Sequence, residues 1–230
     1  MKTNQIILTT LIAMQTAHAG IIFTTEAAGV QQTSVAGTVT ESFNLLPVGP
    51  LAAYASEIGQ YSAGGQVSSP NAWGGSGQSL YLAVGAQSST LSYSVDFVRD
   101  LNFFGIYWAA GDRLNELRFY NGNSLIQSFS TAQVFAGLSS AYDGNPNTGA
   151  NRSEKYAYLN FFTTGNTTFN RVQFYNAGTS TGFETDNHSI REFVNPVVET
   201  QTPEPATLLL TGAAFIGLAL IRRPFKGTQR

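Results

Sequence analysis

Between residues 35 and 195 no long stretch repeats its apolar residues with the 3.6-residue period of a helix. Short runs rich in Val, Ile, Phe and Tyr instead alternate with Gly, Asn and Ser clusters, the pattern of strands and turns. Strands are expected near 35–43, 79–85, 89–97, 101–109, 115–120, 124–130, 156–163, 168–176 and 183–190. So many short strands cannot bury their apolar faces as a single open sheet. The expected fold is all-β, an antiparallel β-sandwich of jelly-roll-like type. Asn121-Gly122 lies between two apolar runs and predicts a tight hairpin, since both central residues of a type I′ turn need positive φ.

Alternation assigns faces. Leu117 and Phe119 share one side of their strand, and Glu116, Arg118 and Tyr120 share the other. Val172 and Phe174 likewise oppose Arg171, Gln173 and Tyr175. The run Leu101–Trp108 is apolar on both faces, which predicts a central strand with its second face covered. Segment 44–78 has few strand signals and reads as a long surface excursion that carries Trp73.

The two ends carry a different kind of signal. Lys2 precedes an apolar run, Ile6 to Met14, and Ala17 and Ala19 put small residues at −3 and −1 before Gly20. This is the form of a secretory signal over 1–19, cut by signal peptidase. At the other end, Pro203-Glu204-Pro205 leads into an apolar run over 206–221, stopped by Arg222 and Arg223. Sixteen residues span about 24 Å as a helix, short for a bilayer core of about 30 Å. A single C-terminal transmembrane helix is the expectation, with the terminal charges held inside. The two prolines keep the residues before them extended, a shape that a processing enzyme can grip. The expected organisation is a signal peptide (1–19), a β-sandwich surface domain (20–200) and a sorting tail (201–230).

Charge excludes some partners. Five of the 12 basic residues (Lys2, Arg222, Arg223, Lys226 and Arg230) lie at the ends, leaving seven against 13 acidic residues in the body, a charge near −6. No basic patch is available for nucleic acid. Cysteine is absent, which excludes disulfides and thiolate metal sites. Charged residues are only 11% of the chain, against about 25% in an average soluble protein, and polar uncharged residues fill the difference, as suits an exported β-protein.

The tripeptide Pro203-Glu204-Pro205, the short apolar run with Gly212 and Gly217, and the Arg222-Arg223 pair together resemble the PEP-CTERM sorting domain. That resemblance implies processing by exosortase, a membrane-embedded transpeptidase of Gram-negative bacteria. The body resembles a family of exosortase-dependent surface proteins over roughly residues 35–190. The likeness is carried by Tyr81–Gly85, Phe104–Trp108, Leu117–Gly122, Asn151-Arg152, Tyr158–Phe161, Phe169–Val172 and Phe183–Asn187. Most of these motifs are strand cores, so they imply fold and implicate no catalytic residue.

Three kinds of chemistry are candidates in the body. The loop from Asp143 to Glu154 places oxygen-bearing Asp143, Asn145, Asn147 and Glu154 at positions 1, 3, 5 and 12, the spacing of a calcium loop. Position 6 is Thr148 where such a loop has Gly, and Asn and Asp in a turn often cap their own backbone. Calcium is thus a candidate and the only cofactor suggested. Trp73, Trp108, Tyr120 and Tyr175 are candidates for stacking on sugar rings, and the plain alternative is that they pack against 44–78. For catalysis, His188 is the only histidine after residue 19, and Glu184, Asp186 and His188 are expected on one strand face. Neighbours on one strand rarely flank one imidazole ring as a triad requires. No nucleophile elbow or pair of metal-binding histidines is present.

The expectation is a non-enzymatic protein, exported through the inner membrane to the cell surface or beyond and associated with exopolysaccharide or biofilm matrix. A secreted carbohydrate-binding module is the alternative, and a glycan-active enzyme a weaker third.

Overall fold

The computed structural model describes residues 20–191. The expected signal segment with Ala17 and Ala19, the Pro203-Glu204-Pro205 motif, the Arg222-Arg223 pair and the 206–221 span lie outside the described residues. Among the described residues no helix is long and apolar enough to cross a membrane.

The described chain is all-β and antiparallel. Its strands are β1 (Gly20–Thr25), β2 (Thr38–Glu41), β3 (Gly49–Pro50), β4 (Tyr54–Ala55), β5 (Gln60–Tyr61), β6 (Gln66–Ser68) and β7 (Tyr81–Gly85). They continue with β8 (Ser92–Leu101), β9 (Phe103–Ala109), β10 (Asn115–Asn121), β11 (Ser124–Ser130), β12 (Ala157–Thr164), β13 (Phe169–Asn176) and β14 (Gly182–Arg191). One helical turn, α1 (Thr131–Val134), and a 3₁₀ turn at Ser140–Tyr142 interrupt them.

Two sheets form a sandwich. One runs β1-β12-β9-β14-β7-β6-β3, with β2 also paired to β14; the other runs β11-β10-β13-β8-β5-β4. From β7 to β14 the chain changes sheet at every connection except the β10–β11 hairpin. The inward faces meet in a core rich in aromatic residues: Phe104, Phe119, Phe174 and Phe183 are fully buried. Ring pairs such as Phe119–Phe169, 5.0 Å apart and nearly perpendicular, add edge-to-face attraction to burial.

The alternation reading holds for β10 and β13. Leu117, Phe119, Val172 and Phe174 are buried, and Glu116, Arg118, Tyr120, Arg171, Gln173 and Tyr175 are only half-buried. β9 is buried at every position and lies between β12 and β14, the central placement expected for a strand apolar on both sides.

Four readings need correction. Segment 44–78 is more than an excursion: β3 to β6 complete one edge of both sheets, and Leu51, Ile58, Tyr61 and Val67 enter the core. β1, with Ile21 buried and Ile22 exposed, was not expected at all; it pairs with β12 from Gly20↔Thr164 to Thr25↔Leu159. In the β10–β11 hairpin Asn121 pairs with Ser124, so the turn is Gly122-Asn123 rather than Asn121-Gly122. Only Gly122 has positive φ (56°), as in a type II′ turn. Finally, β14 carries one extra residue relative to β9 between Asp186 and Ser189. Asn187 takes a left-handed φ of 49° there, a conformation that Asn tolerates. The bulge reverses the alternation, so His188 turns into the core and Asp186 turns away from it.

Candidate functional site

Every residue of β14 up to Ile190 is buried, although six in a row, Glu184 to Ser189, are polar. Burying polar groups is costly unless each finds a partner, and most do. Thr185 meets the Tyr93 hydroxyl at 2.7 Å. Asp186 accepts from the Ser76 N–H at 2.8 Å and from the Ser79 hydroxyl. Asn187 donates to the Gln31 carbonyl at 2.8 Å. His188 Nδ1 lies 2.9 Å from the Tyr61 hydroxyl and Nε2 lies 2.9 Å from Thr185 Oγ1. Both imidazole nitrogens are thus engaged inside the core, and Asp186 is on the opposite face of the strand. The His188 and Thr185 bonds tie β14 to β5 and β8 of the other sheet.

Glu184 is different. It is only 2% exposed, and Oε1 accepts from the Gln87 amide, but Oε2 is buried without a hydrogen-bond partner. Gln87 Oε1 is likewise buried and unpaired. Both residues line a cleft of about 410 Å³, together with Trp73, Asp112, Glu154 and Thr181.

Each wall has its own support. Gln87 stands on the turn after β7, where Gly85 has φ 88° and lies so close to the Thr181 carbonyl and Asn176 that no side chain fits. Asp112 stands on the turn after β9; its N–H donates to Asn115 Oδ1 at 2.9 Å, and Asn115 Nδ2 donates to the Gly182 carbonyl at 2.6 Å. Trp73 rides on a turn anchored through its carbonyls: Asn145 Nδ2 donates to the Asn71 and Ala72 carbonyls at 3.0 and 3.3 Å, and the Tyr156 hydroxyl donates to the Ala72 carbonyl at 2.7 Å. Asn147 Nδ2 donates to Gly75 at 3.1 Å. Trp73 itself remains 51% exposed.

Burial pushes the Glu184 carboxyl up to about 8, with the Asp112 and Glu154 charges adding to it. Asp112 is pushed up to about 6, first by burial and then by Glu154. No Lys, Arg or His lines the cleft. The result is a slot with one aromatic wall, a carboxyl floor and unused hydrogen-bond acceptors, suited to a ligand with a flat apolar face and several donors.

The expected site residues are distributed differently from the sequence reading. Trp108 is corrected: it is fully buried, 4.5 Å from the Phe183 ring and 5.9 Å from Phe135, and offers no face to a ligand. It follows Phe104 and Ile106 at a spacing of two, so it points inward with them. Tyr120 and Tyr175 lie on the outer face of the six-stranded sheet, away from Trp73. The Arg118 guanidinium sits 3.8 Å above the Tyr175 ring, and the Tyr120 hydroxyl donates to Gln173 at 3.3 Å. The calcium-loop residues each have partners within the chain. Asp143 pairs with Lys155 at 2.6 Å, Asn145 and Asn147 turn their amide nitrogens to the Trp73 turn, and Glu154 accepts from Asn151 and faces the cleft. Among the described residues no group of three or more His, Cys, Asp or Glu is disposed to hold a metal ion. Gly20, the residue after the expected signal cleavage, opens β1.

Sequence reading missed Gln87, Asp112 and Glu184 as one site, because they come from three separate turns and strands. The available signal was the polar run Glu184–Ser189 inside a segment framed by Phe183 and Ile190. Compared with known proteins, the chain matches no family model and no curated protein.

Proposed function

We propose that this chain is a non-enzymatic surface protein that binds extracellular polysaccharide through the Trp73 cleft. On this reading it is exported through the inner membrane, cut by signal peptidase before Gly20, held transiently by the 206–221 span and released by exosortase to the cell surface or matrix. The order in which the strands change sheet supports reading the sandwich as a jelly roll, an architecture that often carries sugar sites. That analogy is to a fold and carries no function by itself.

The observation that carries the proposal is the half-exposed Trp73 beside the unpartnered acceptors of Glu184 and Gln87. A sugar offers such a slot an apolar C–H face for the ring and hydroxyl donors for the acceptors. The test is a glycan array probed with the full-length chain and with Trp73→Ala. Binding that Trp73→Ala abolishes, with no released product, supports the proposal; an identical array pattern for the two proteins refutes the site.

A further inference from the structure

The cleft's charge is one-sided, although the Ser180 and Thr181 hydroxyls also stand in its lining. Gln87 donates one amide N–H to Glu184 Oε1, and two acceptors beside it, Glu184 Oε2 and Gln87 Oε1, are buried without partners. Asp112 and Glu154 add two more carboxyls, and no cationic side chain lines the cleft. Glu184 keeps its proton until a cation enters; once ionised it only accepts, so a ligand that holds it ionised has to bring the donors. A hydroxyl brings one donor and adds lone pairs that face other lone pairs. An ammonium brings three donors, no acceptor, and a positive charge. A uronate brings a negative charge against three carboxyls.

The floor is also costly as it stands. Glu184 and Asp112, raised first by burial and then by neighbouring acidic charges, are stabilised by any cation that enters. Because no three acidic groups converge on one point, the charge suits a cation carried along a ligand better than a caged metal ion. Trp73 at the mouth stacks on a sugar face and also attracts a cation through its ring quadrupole.

We propose that the Trp73 cleft selects sugar residues bearing a free amine, hexosamine units of a partly deacetylated polysaccharide, over neutral or acidic ones. This rests on the glycan-binding reading given above and names its ligand class. Glu184 is the residue that reads the ammonium, and Gln87 holds it in place.

The test is calorimetric titration of the full-length chain in neutral detergent at physiological salt with three oligosaccharides of equal length: glucosamine, N-acetylglucosamine and glucuronate. The glucosamine oligomer is expected to bind at least about tenfold tighter than its N-acetylated counterpart, the effect of one charge-assisted hydrogen bond. Glu184→Gln should erase that difference, Trp73→Ala should weaken both ligands, and Glu57→Gln, at an exposed acid away from the cleft, should change neither. Equal binding of the acetylated and deacetylated oligomers would overturn the amine selectivity while leaving the glycan reading intact. A preference surviving in Glu184→Gln would trace it to overall acidity and overturn the site. Loss of binding in chelator would put a metal between protein and sugar, and would overturn it as well. If none of the three oligomers bound, the glycan reading would fall, and this inference with it.

Discussion

The hydroxyl of Tyr61 lies 2.9 Å from Nδ1 of His188, joining β5 of one sheet to β14 of the other inside the core. Both residues are fully buried, and the imidazole stacks on Phe174 at 4.6 Å. Burial alone holds the His188 pKa well below its usual 6.5. The unfolded chain therefore binds a proton there that the folded chain refuses. The stability this contributes is complete above pH 6.5 and is lost as pH falls below it.

Glu184 and Asp186 act in the opposite sense. Burial raises them to about 8 and about 7, so the folded chain keeps two protons that the unfolded chain releases above about pH 4.5. Their stabilisation is present at low pH and lost as pH rises to 8. Two groups outweigh one, so the protein should melt at a higher temperature at pH 5.5 than at pH 8. Each proton difference contributes a slope of about 1.4 kcal/mol per pH unit. Glu184→Gln should flatten the profile. A midpoint that climbs from pH 5.5 to 8 would show that these carboxyls are ionised in the fold.

Trp108 separates packing from hydrogen bonding. Its ring fills the core between Phe135 and Phe183, but its indole N–H is buried without a partner. Trp108→Ala should cost about 3–5 kcal/mol in denaturant unfolding, the usual effect of a large core cavity. Trp108→Phe keeps most of the ring and removes the unpaired donor, whose burial itself costs about 1–3 kcal/mol. It should therefore cost much less than the Ala variant. Equal losses would show that the N–H is satisfied in solution.

The parts of the fold legible in the sequence are those that obey one period. Leu117 and Phe119 against Glu116, Arg118 and Tyr120 could be assigned because β10 alternates without interruption. β9 could be placed centrally because Phe103 to Trp108 offers no polar face. β3 to β6 were invisible because strands of two or three residues cannot display a period of two. The facing of His188 was misread because a single left-handed residue, Asn187, inserts one position into β14. The cleft was illegible for another reason: Trp73, Gln87, Asp112, Glu154 and Glu184 lie far apart in sequence and meet only once the sheets are wound. Trp73 alone was a candidate beforehand, and the Asn145 and Asn147 amides that hold its turn look, in sequence, like metal ligands.

Gly182 tests the cleft without touching its chemistry. A Cβ at this position would overlap Glu184 Oε1 and the Gln87 amide, both of which are side-chain ends that can yield. Gly182→Ala should therefore separate Gln87 from Glu184 at a stability cost of about 1 kcal/mol, the low end for overpacking. Oligosaccharide affinity should fall at least about tenfold, the loss of one good hydrogen bond to a charged group. Undiminished affinity, measured by the same titration, would remove the Glu184–Gln87 pair from the binding site.

The sorting tail is tested by its shape. If Pro203-Glu204-Pro205 is a recognition element, its extended conformation and the Glu204 carboxylate matter more than the apolar length behind it. Changing all three to Ala removes both, and lets a helix over 206–221 extend upstream, since Ala is the best helix former. The apolar span grows by three residues, about 4.5 Å of helix, so membrane insertion should be kept or improved. Processing should nevertheless stop, and the variant should accumulate in the inner membrane at precursor length while the wild type reaches the surface in shortened form. A plain membrane anchor makes the opposite forecast, because wild type and variant would then both stay full length in the membrane. Membrane fractionation with an immunoblot against residues 20–191 distinguishes the two. Efficient release of the triple-Ala variant would end the sorting reading and leave the cleft to be explained in an anchored protein.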